Sequence, residues 1–263
     1  MNPVAADNLI FDEPCILFAL GREAGAFLRA FPPQQRVPDA PCWAQFCGPS
    51  WLSVLVLQVG MGRQCVEHAL AWLSSQPRIG GVLCRPKLVL SAGFAGGLAR
   101  DLRVGDLVVA TEVCDEAGTI VPVPWPGELS GVWQPLPHRG RILTTAAPVA
   151  LAEQKKALGQ QFAALAVDME SALVARWCQS QQVPFGAVRV ISDDAHTSLS
   201  PELQGLLAEG KPSIWRIVAA VARSPNLLRE LSRLARHTRL AGKQLGKALG
   251  ELLTLTLPFG AQL

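Results

Sequence analysis

Short apolar runs alternate along most of the chain with segments whose apolar residues recur at helical spacing. The runs at 15–20, 51–60 and 87–93 predict buried strands, because each is short and rich in branched apolar side chains. The segments 22–31 and 63–76 lie between these runs and have the periodicity of amphipathic helices. The first third of the chain therefore predicts strands and helices in strict alternation.

The same alternation continues to about residue 194. Further strands are predicted at 106–113, 141–145, 162–167 and 184–194, and further helices at 147–159 and 170–182. Between them, 94–106 is expected to be a loop, and 118–139, with five prolines and two tryptophans, is expected to be an irregular flap. Strands that alternate with helices indicate an α/β fold with a mostly parallel sheet. In such sheets, ligands bind at the carboxyl ends of the strands.

The last sixty residues differ from the rest, because they combine helical periodicity with a strong positive charge. From 211 to 247 there are nine Lys or Arg and one Glu, a local charge of +8, whereas the whole chain carries +3. We expect one domain over 1–263, with 200–263 as a basic helical extension packed on it. The extension has three interpretations: a cap with a solvated basic face, a surface that meets an anionic membrane, or a nucleic-acid site. The last is the least favoured, since no aromatic residues are interleaved with the arginines, and no nucleic-acid partner is expected.

Composition sets broad limits on the class of protein. With 263 residues, 49% of them hydrophobic, the chain can bury a large core. The N-terminus lacks the basic and apolar regions of a secretory signal, and no uncharged apolar stretch is long enough for a transmembrane helix. The seven cysteines are odd in number and show no paired spacing, which indicates reduced thiols in the cytoplasm. No metal and no cofactor are expected.

Three polar or glycine-rich groups stand at the ends of predicted strands. They are "SAGFAGG" (91–97), "VDMES" (167–171) and "RVISDDA" (189–195). Each has an ordinary structural explanation: a tight turn for the glycines, a helix N-terminus for the carboxylates of the second group, and helix capping for the third. Each could equally form part of a binding site, because all three would meet at one edge of the sheet.

The order of these groups is more specific than any one of them. A glycine loop, then D-M-E-S before a helix, then R-x-I-S-D at the next strand end resembles the purine nucleoside phosphorylase and nucleosidase superfamily, which includes the methylthioadenosine/S-adenosylhomocysteine nucleosidases. The resemblance runs from about Cys15 to Ala195 and includes Gly105-Asp106 before a strand. It implies a three-layer αβα fold with a mixed, mostly parallel twisted sheet. In "VDMES", in 189–201 and in the basic C-terminus, the chain is similar to the hopanoid-associated phosphorylases.

The resemblance implies cleavage of the N-glycosidic bond of a purine nucleoside, with adenine as the released base. Asp193 stands at the position of the general acid that protonates N7 of the purine, so it must carry a proton near neutral pH, and Asp194 is a like-charged neighbour that would favour this. Glu170 matches the residue that accepts hydrogen bonds from the ribose hydroxyls, with Met169 packed on the sugar. Glu23 matches the carboxylate that positions or deprotonates an attacking water, although by itself it has the pattern of a first-turn helix carboxylate.

Four more residues are expected to border the substrate. Gly93, Phe94 and Ala95 lie in the glycine segment, where the backbone can approach a ligand and the Phe94 ring either contacts it or packs in the core. Arg189 either orients the Asp193 loop or is a surface cation. Asp168 has only a structural role, at a helix start or in a hydrogen bond.

The chain departs from the family pattern where phosphorylases hold phosphate. Phe94 replaces a Ser, and Ser91 stands where an Arg is often found, so Arg22 and Arg63 are the remaining candidate phosphate ligands. Bond cleavage is therefore a firmer expectation than phosphorolysis, and the co-substrate is either phosphate or water. The substrate could be lipid-linked, such as adenosylhopane, on a protein at the inner membrane face. The alternatives are a methylthioadenosine/S-adenosylhomocysteine-type nucleosidase and a catalytically silent nucleoside-binding relative; in each case a homo-oligomer is expected.

Overall fold

The computed structural model of the chain describes residues 10–11, 13–49, 52–79, 82–125, 131–201 and 225–256. The strands are β1 (Ile10–Phe11), β2 (Pro14–Phe18), β3 (Pro33–Arg36), β4 (Trp43–Cys47), β5 (Val54–Gln58), β6 (Arg78–Ile79), β7 (Val82–Cys84), β8 (Leu88–Gly97), β9 (Leu107–Asp115), β10 (Ile120–Pro122), β11 (His138–Thr144), β12 (Ala166–Asp168) and β13 (Phe185–Asp193). The helices are α1 (Gly21–Ala30), α2 (Arg63–Ser74), α3 (Ala152–Phe162), α4 (Ser171–Gln181) and α5 (Pro225–Thr256).

Ten of the strands form one mixed sheet around the long strand β8. Its order is β10-β9-β11-β12-β8-β2-β5-β4-β3, and β13 pairs with both β8 and β9. The pairings of β2 with β5 and β8, of β8 with β13, and of β11 with β9 and β12 are parallel. Strands β9, β11, β12, β8 and β13 thus close a ring of pairings. Within this ring, the carboxyl end of β8 is paired with β12 on one side and with β13 on the other.

Helices cover both faces of the sheet, as the alternation along β2 shows. Cys15 and Leu17 pack in the cluster that contains the buried side chains of α2 and α4, whereas Ile16 and Phe18 pack in the cluster that contains those of α1 and α5. Buried strands with apolar residues on both sides are what a sheet between two helical layers requires. The predicted αβα fold with a C-terminal helix is confirmed.

The contact between α1 and α5 is close because α5 has a glycine where the two helices meet. A Cβ placed on Gly246 would lie 2.6 Å from the Cβ of Ala26 and 2.8 Å from the backbone N of Phe27. On the other side of α5, the indole N–H of Trp133 donates to the carbonyl of Ala248 at 2.9 Å. One face of α5 from 241 to 253 therefore belongs to the core, whereas 202–224 and 257–263 of the predicted extension lie outside the described residues.

Several predicted boundaries were wrong. The loop predicted from 94 does not begin there, because β8 continues to Gly97 while it pairs with β13 and β12. Helix α3 begins at Ala152 rather than at 147, after the proline at 148. The described part of the expected flap contains β10 and the start of β11. Strands β3 and β4 were not predicted.

Candidate active site

The first group of the site is the side chain of Glu23, which belongs to α1 and lies against the carboxyl half of β8. One carboxylate oxygen accepts a hydrogen bond from the backbone N–H of Leu20 at 2.7 Å, and the other accepts from the backbone N–H of Phe94 at 2.8 Å. A Cβ on Gly93 would lie 2.8 Å from that second oxygen, so only glycine leaves room for the carboxylate. Burial raises the pKa of Glu23, and these backbone hydrogen bonds offset part of the rise. Glu23 is thus both a first-turn carboxylate and a buried group of the site.

Glu170, between β12 and α4, is the second carboxyl group of the site. One of its oxygens accepts from the backbone N–H of Gly62 at 3.3 Å, and the other lies 3.3 Å from the backbone N of Met169. Burial raises the pKa of Glu170 to about 7, and the negative charges of Asp168 and Glu23 add to the effect. Glu170 therefore exchanges a proton near neutral pH.

Arg189 on β13 is buried, with 2% of its surface exposed, so it is not a surface cation. Its Nε donates to Asp168 at 2.8 Å, and its terminal nitrogens donate to the carbonyl and the hydroxyl of Ser91, both at 2.7 Å, and to the hydroxyl of Ser171 at 2.9 Å. All its donor groups are therefore directed at protein acceptors, and no hydrogen bond joins it to Asp193.

Asp168 has the structural role expected of it. Its second oxygen accepts from the hydroxyl of Thr144 at 2.7 Å and from the backbone N–H groups of Glu170 and Ser171, at 3.3 and 3.2 Å. It thereby satisfies free N–H groups at the start of α4. One carboxylate therefore has two roles: it forms a buried ion pair with Arg189, and it accepts hydrogen bonds at the start of α4.

Asp193, at the end of β13, lies against the same strand β8 but further along it. A Cβ on Gly96 would lie 3.3 Å from its carboxylate, and the hydroxyl of Ser192 lies 2.8 Å from one of its oxygens. The other oxygen forms an ion pair with the ammonium of Lys155 on α3. Gly93 and Gly96 are three positions apart, so Glu23 and Asp193 contact β8 about 10 Å apart along the strand.

Asp194 does not face Asp193 as a like-charged neighbour in the way the sequence suggested. Its carboxylate accepts from the hydroxyl of Thr197 at 2.8 Å and from the backbone N–H of His196 at 3.1 Å. Burial acts to raise the pKa of Asp194, but these hydrogen bonds and the charge of Lys155 outweigh it and lower the pKa. The nearest charged partner of Asp193 is thus a cation.

A small cleft that is partly open to solvent brings together five of the residues proposed from the sequence. They are Glu23, Gly93, Phe94, Glu170 and Arg189. Its other lining residues include Ser91 and apolar side chains of β2, α2 and α4. Met169, Ala95 and Asp193 do not line this cleft, although Asp193 pairs with Gly96 on the same strand and the carbonyl of Ala95 lies 3.3 Å from the Ser192 hydroxyl.

The two candidate phosphate ligands lie outside the cleft. Arg22 is exposed, and Arg63 forms an exposed ion pair with Glu67 at 3.2 Å. Of the described residues that line the cleft, Arg189 is the only cation. The described part of the chain contains no group of three or more His, Cys, Asp or Glu side chains placed to hold a metal ion.

Lys155 is the residue of this site that the sequence analysis missed. It is completely buried, on the face of α3 that also carries the partly buried Ala152, Leu158 and Gly159. A lysine at helical spacing among small and apolar residues is a usable signal, but the exposed Lys156 beside it hides the difference. Thr144 and Ser171, which complete the Asp168 network, carried no signal of their own.

Buried carboxyl groups thus lie at the carboxyl end of the central strand of a mixed α/β sheet, the edge at which ligands bind in such sheets. The chain belongs to the phosphorylase superfamily, whose family model matches residues 15–128 and 130–223. A methylthioadenosine/S-adenosylhomocysteine nucleosidase from Haemophilus ducreyi is 35% identical over 167 residues, which are 54% of this chain and 68% of that protein. The same enzyme from Glaesserella parasuis is 29% identical over the same shares.

Solved structures agree on the fold. The methylthioadenosine/S-adenosylhomocysteine nucleosidase of Helicobacter pylori matches with a TM-score of 0.67 and 21% identity, over 93% of this chain and 99% of that one. The futalosine hydrolase of the same organism matches with a TM-score of 0.66 and 20% identity, over 92% and 97%. The expected family and the enzyme class, a nucleosidase or phosphorylase acting on an N-glycosyl bond, are confirmed.

Proposed function

We propose that this chain hydrolyses the N-glycosidic bond of an adenosine-type nucleoside, with water as the nucleophile and adenine as the leaving base. The observation that carries this proposal is the cleft beside β8, in which Glu23 and Glu170 face a site whose only described cation, Arg189, is engaged by Asp168, Ser91 and Ser171. The relatives from Haemophilus ducreyi and Glaesserella parasuis named above are both methylthioadenosine/S-adenosylhomocysteine nucleosidases. A variant of the H. pylori nucleosidase was solved with 5′-methylthioadenosine in its active site.

The chemistry divides between the two ends of the substrate. Breaking the bond leaves negative charge on the purine and an oxocarbenium-like ribose, so the base needs a proton at N7 and the sugar needs nearby carboxylates. In this proposal Asp193 serves the base, and Glu23 and Glu170 serve the ribose and the water. General acid catalysis of this kind contributes about 10²- to 10⁴-fold.

Water is favoured over phosphate by the electrostatics of the cleft. Two carboxyl groups line it, and an oxyanion placed between them would meet repulsion without a free cation to offset it. Glu23 can still accept a hydrogen bond from water, because each of its oxygens accepts one backbone N–H and keeps a lone pair. Its raised pKa brings it closer to the range in which a carboxylate is an effective general base.

The products of an adenosine conjugate, analysed with and without inorganic phosphate, test this proposal. We expect adenine and free ribose conjugate at the same rate in both conditions; ribose 1-phosphate products that appear only with phosphate would establish phosphorolysis instead. Asp193→Asn should lower adenine release at least about a hundredfold while circular dichroism stays unchanged. Nucleoside binding by the wild-type protein without any adenine release would identify a silent relative.

We further propose that the substrate carries a hydrophobic 5′ group, as a lipid-linked adenosine such as adenosylhopane does, and that α5 brings the protein to an anionic membrane. Six exposed cations follow one face of α5 at spacings of three and four residues, with exposed leucines at 228 and 240 beside them. Gly242 of this helix lies against the carbonyl of Arg22 and the ring of Phe94, which lines the cleft. Helix α5 thus carries the basic face on its exposed side and borders the cleft, through Phe94, on its buried side.

None of the described helices is both long and apolar enough to cross a bilayer, so this proposal concerns the membrane surface alone. Turnover of adenosine compared with that of a 5′-alkyl adenosine tests the substrate preference: we expect the alkylated compound to have the lower KM. The homo-oligomer expected from the sequence remains a prediction, to be checked by light scattering.

A further inference from the structure

Lys155 is an unusual group to find behind a general acid. Its side chain is completely buried, and its ammonium contacts three acceptors: the carboxylate of Asp193, the carbonyl of Asp194 at 2.8 Å and the carbonyl of Thr197 at 3.2 Å. An ammonium has three N–H donors, so these contacts satisfy it fully. Burying a cation is unfavourable by several kcal/mol unless such partners surround it.

This contact conflicts with a simple role for Asp193. A general acid must reach the substrate with a proton, but a cation in contact with a carboxyl group favours its ionised form. In the unliganded protein the Asp193 carboxylate is thus ion-paired with the Lys155 ammonium. The group that could supply the proton required by the purine is therefore the Lys155 ammonium, which contacts the Asp193 carboxylate.

We propose that Lys155 and Asp193 act as a pair that holds one proton and delivers it to the purine, an inference that rests on the proposed function. As the bond from C1′ to N9 breaks, its electron pair moves onto the base, the Lys155 ammonium gives its proton to the Asp193 carboxylate, and Asp193 passes that proton to N7. Water adds to C1′ and gives its proton to Glu23 and then to solvent. Reprotonation of the neutral Lys155 amine from solvent restores the pair, so that nucleoside and water become adenine and ribose. Lys155 acts through Asp193 and is a positioning and proton-holding residue.

The surroundings of the pair limit other sources of this proton. Strands β8 and β12 present Gly96 and Val167 to the Asp193 carboxylate, neither of which titrates. On the loop after β13, the Asp194 carboxylate is occupied by Thr197 and His196, and the His196 side chain is exposed. Lys155 from α3 is thus the protonated group in direct contact with Asp193.

The test is the pH dependence of kcat for Lys155→Met, with Lys156→Met as the matched control on the same helix. In wild type, activity should persist into alkaline solution, because the lysine keeps the shared proton. In Lys155→Met only the carboxyl can hold it, so we expect the alkaline limb to move down by about one pH unit or more and kcat to fall at least about tenfold at pH 8, with recovery near pH 5.5. Lys156→Met should match wild type.

A uniform fall of kcat in Lys155→Met at every pH, with the limb unmoved, would indicate a merely structural role and overturn the inference. Should Lys155→Met not fold, the pH dependence of kcat is measured for Lys155→Gln and for wild type instead. A wild-type alkaline limb below about pH 7 would mean that a lone carboxyl holds the proton, which would overturn the inference. If wild type releases no adenine at any pH, the proposed function has failed; if it does and the Lys155 variants keep its profile, only the pairing has failed.

Discussion

At the level of single residues, the buried acidic groups differ in what surrounds them, and this difference separates their chemistry. Asp168 is paired with Arg189 and acts as a structural anion. Glu23 is held by two backbone N–H groups, and Glu170 by long contacts to backbone nitrogens. Burial raises the pKa values of the two carboxyl groups of the cleft, and the charge of Arg189 offsets only part of the rise.

Glu170 should make the stability of the protein depend on pH. Its folded-state pKa of about 7 lies above the ordinary value of 4.5, so the folded protein holds this proton more tightly than the unfolded chain does. The resulting stabilisation is present at low pH and is lost as the pH rises to about 7. Glu170→Gln stays neutral at all pH values, so it should be more stable than wild type by about 2 kcal/mol at pH 8 and nearly equal to it at pH 4.5.

Urea unfolding at both pH values measures this difference. Glu67→Gln is the control, because Glu67 is exposed and its pair with Arg63 lies in solvent; that variant should stay within about 0.5 kcal/mol of wild type at either pH. A stability change in Glu170→Gln that is the same at both pH values would show that the carboxyl does not titrate in this range.

The residue types of the site could be predicted, because carboxylates and glycines at the ends of predicted strands can be read directly from the sequence. The residues that these groups contact in the fold could not be predicted. Arg189 and Asp168 lie on different strands, and Lys155 contacts Asp193 across 38 positions of sequence, so only the tertiary structure reveals that an apparent surface cation and an ordinary helical lysine are both buried.

At the level of elements, the packing of α5 on α1 depends on a glycine, Gly246. The helical period predicted α5, but its contact with α1 requires a position at which the two backbones nearly touch, and a glycine inside a helix gives no indication of its partner. The same holds for β8, whose glycines suggested a turn although they make room within a strand for the carboxylates of Glu23 and Asp193.

Two glycines of α5 provide a direct test of this packing. Alanine is favoured over glycine in a helix by about 1 kcal/mol, so a Gly→Ala change should stabilise α5 where there is space. A Cβ at Gly250 would lie 3.5 Å from the ring of Phe31, an ordinary contact, whereas one at Gly246 would lie 2.6 Å from Ala26. We expect Gly250→Ala to be neutral or up to about 1 kcal/mol more stable, and Gly246→Ala to be about 1–3 kcal/mol less stable.

Thermal and urea unfolding measure the stability of the Gly250→Ala and Gly246→Ala variants relative to wild type. Because both changes share the gain in helix propensity, their difference isolates the contact with α1. Equal effects of the two substitutions would mean that α5 does not approach α1 as closely at Gly246 as described.

At the level of the whole molecule, the distribution of charge matters more than its sum. The chain carries +3, but 211–247 alone carries +8, so the remainder is about −5. Six of the nine cations of this range are exposed on α5, so an anionic surface would attract this helix. Such a distribution favours one orientation, with α5 toward the surface and the adjoining cleft near it. The sequence predicted this charge contrast fully, because it needs only counting, but the position of the cleft beside Gly242 required the fold.

Sedimentation with phosphatidylserine/phosphatidylcholine vesicles tests that orientation. Each cation near an anionic surface contributes about 1 kcal/mol, and the interaction weakens as the Debye length falls from about 10 Å at 0.1 M salt to about 3 Å at 1 M. Wild type should therefore pellet at low salt and be released at high salt. The double variant Arg233→Glu/Arg236→Glu should bind at least about tenfold more weakly, since both side chains are exposed on the basic face, whereas Arg63→Glu, an exposed cation on α2, should bind like wild type. Equal pelleting with pure phosphatidylcholine, or none with anionic vesicles at low salt, would contradict the surface role of α5 and leave its basic face as a solvated cap.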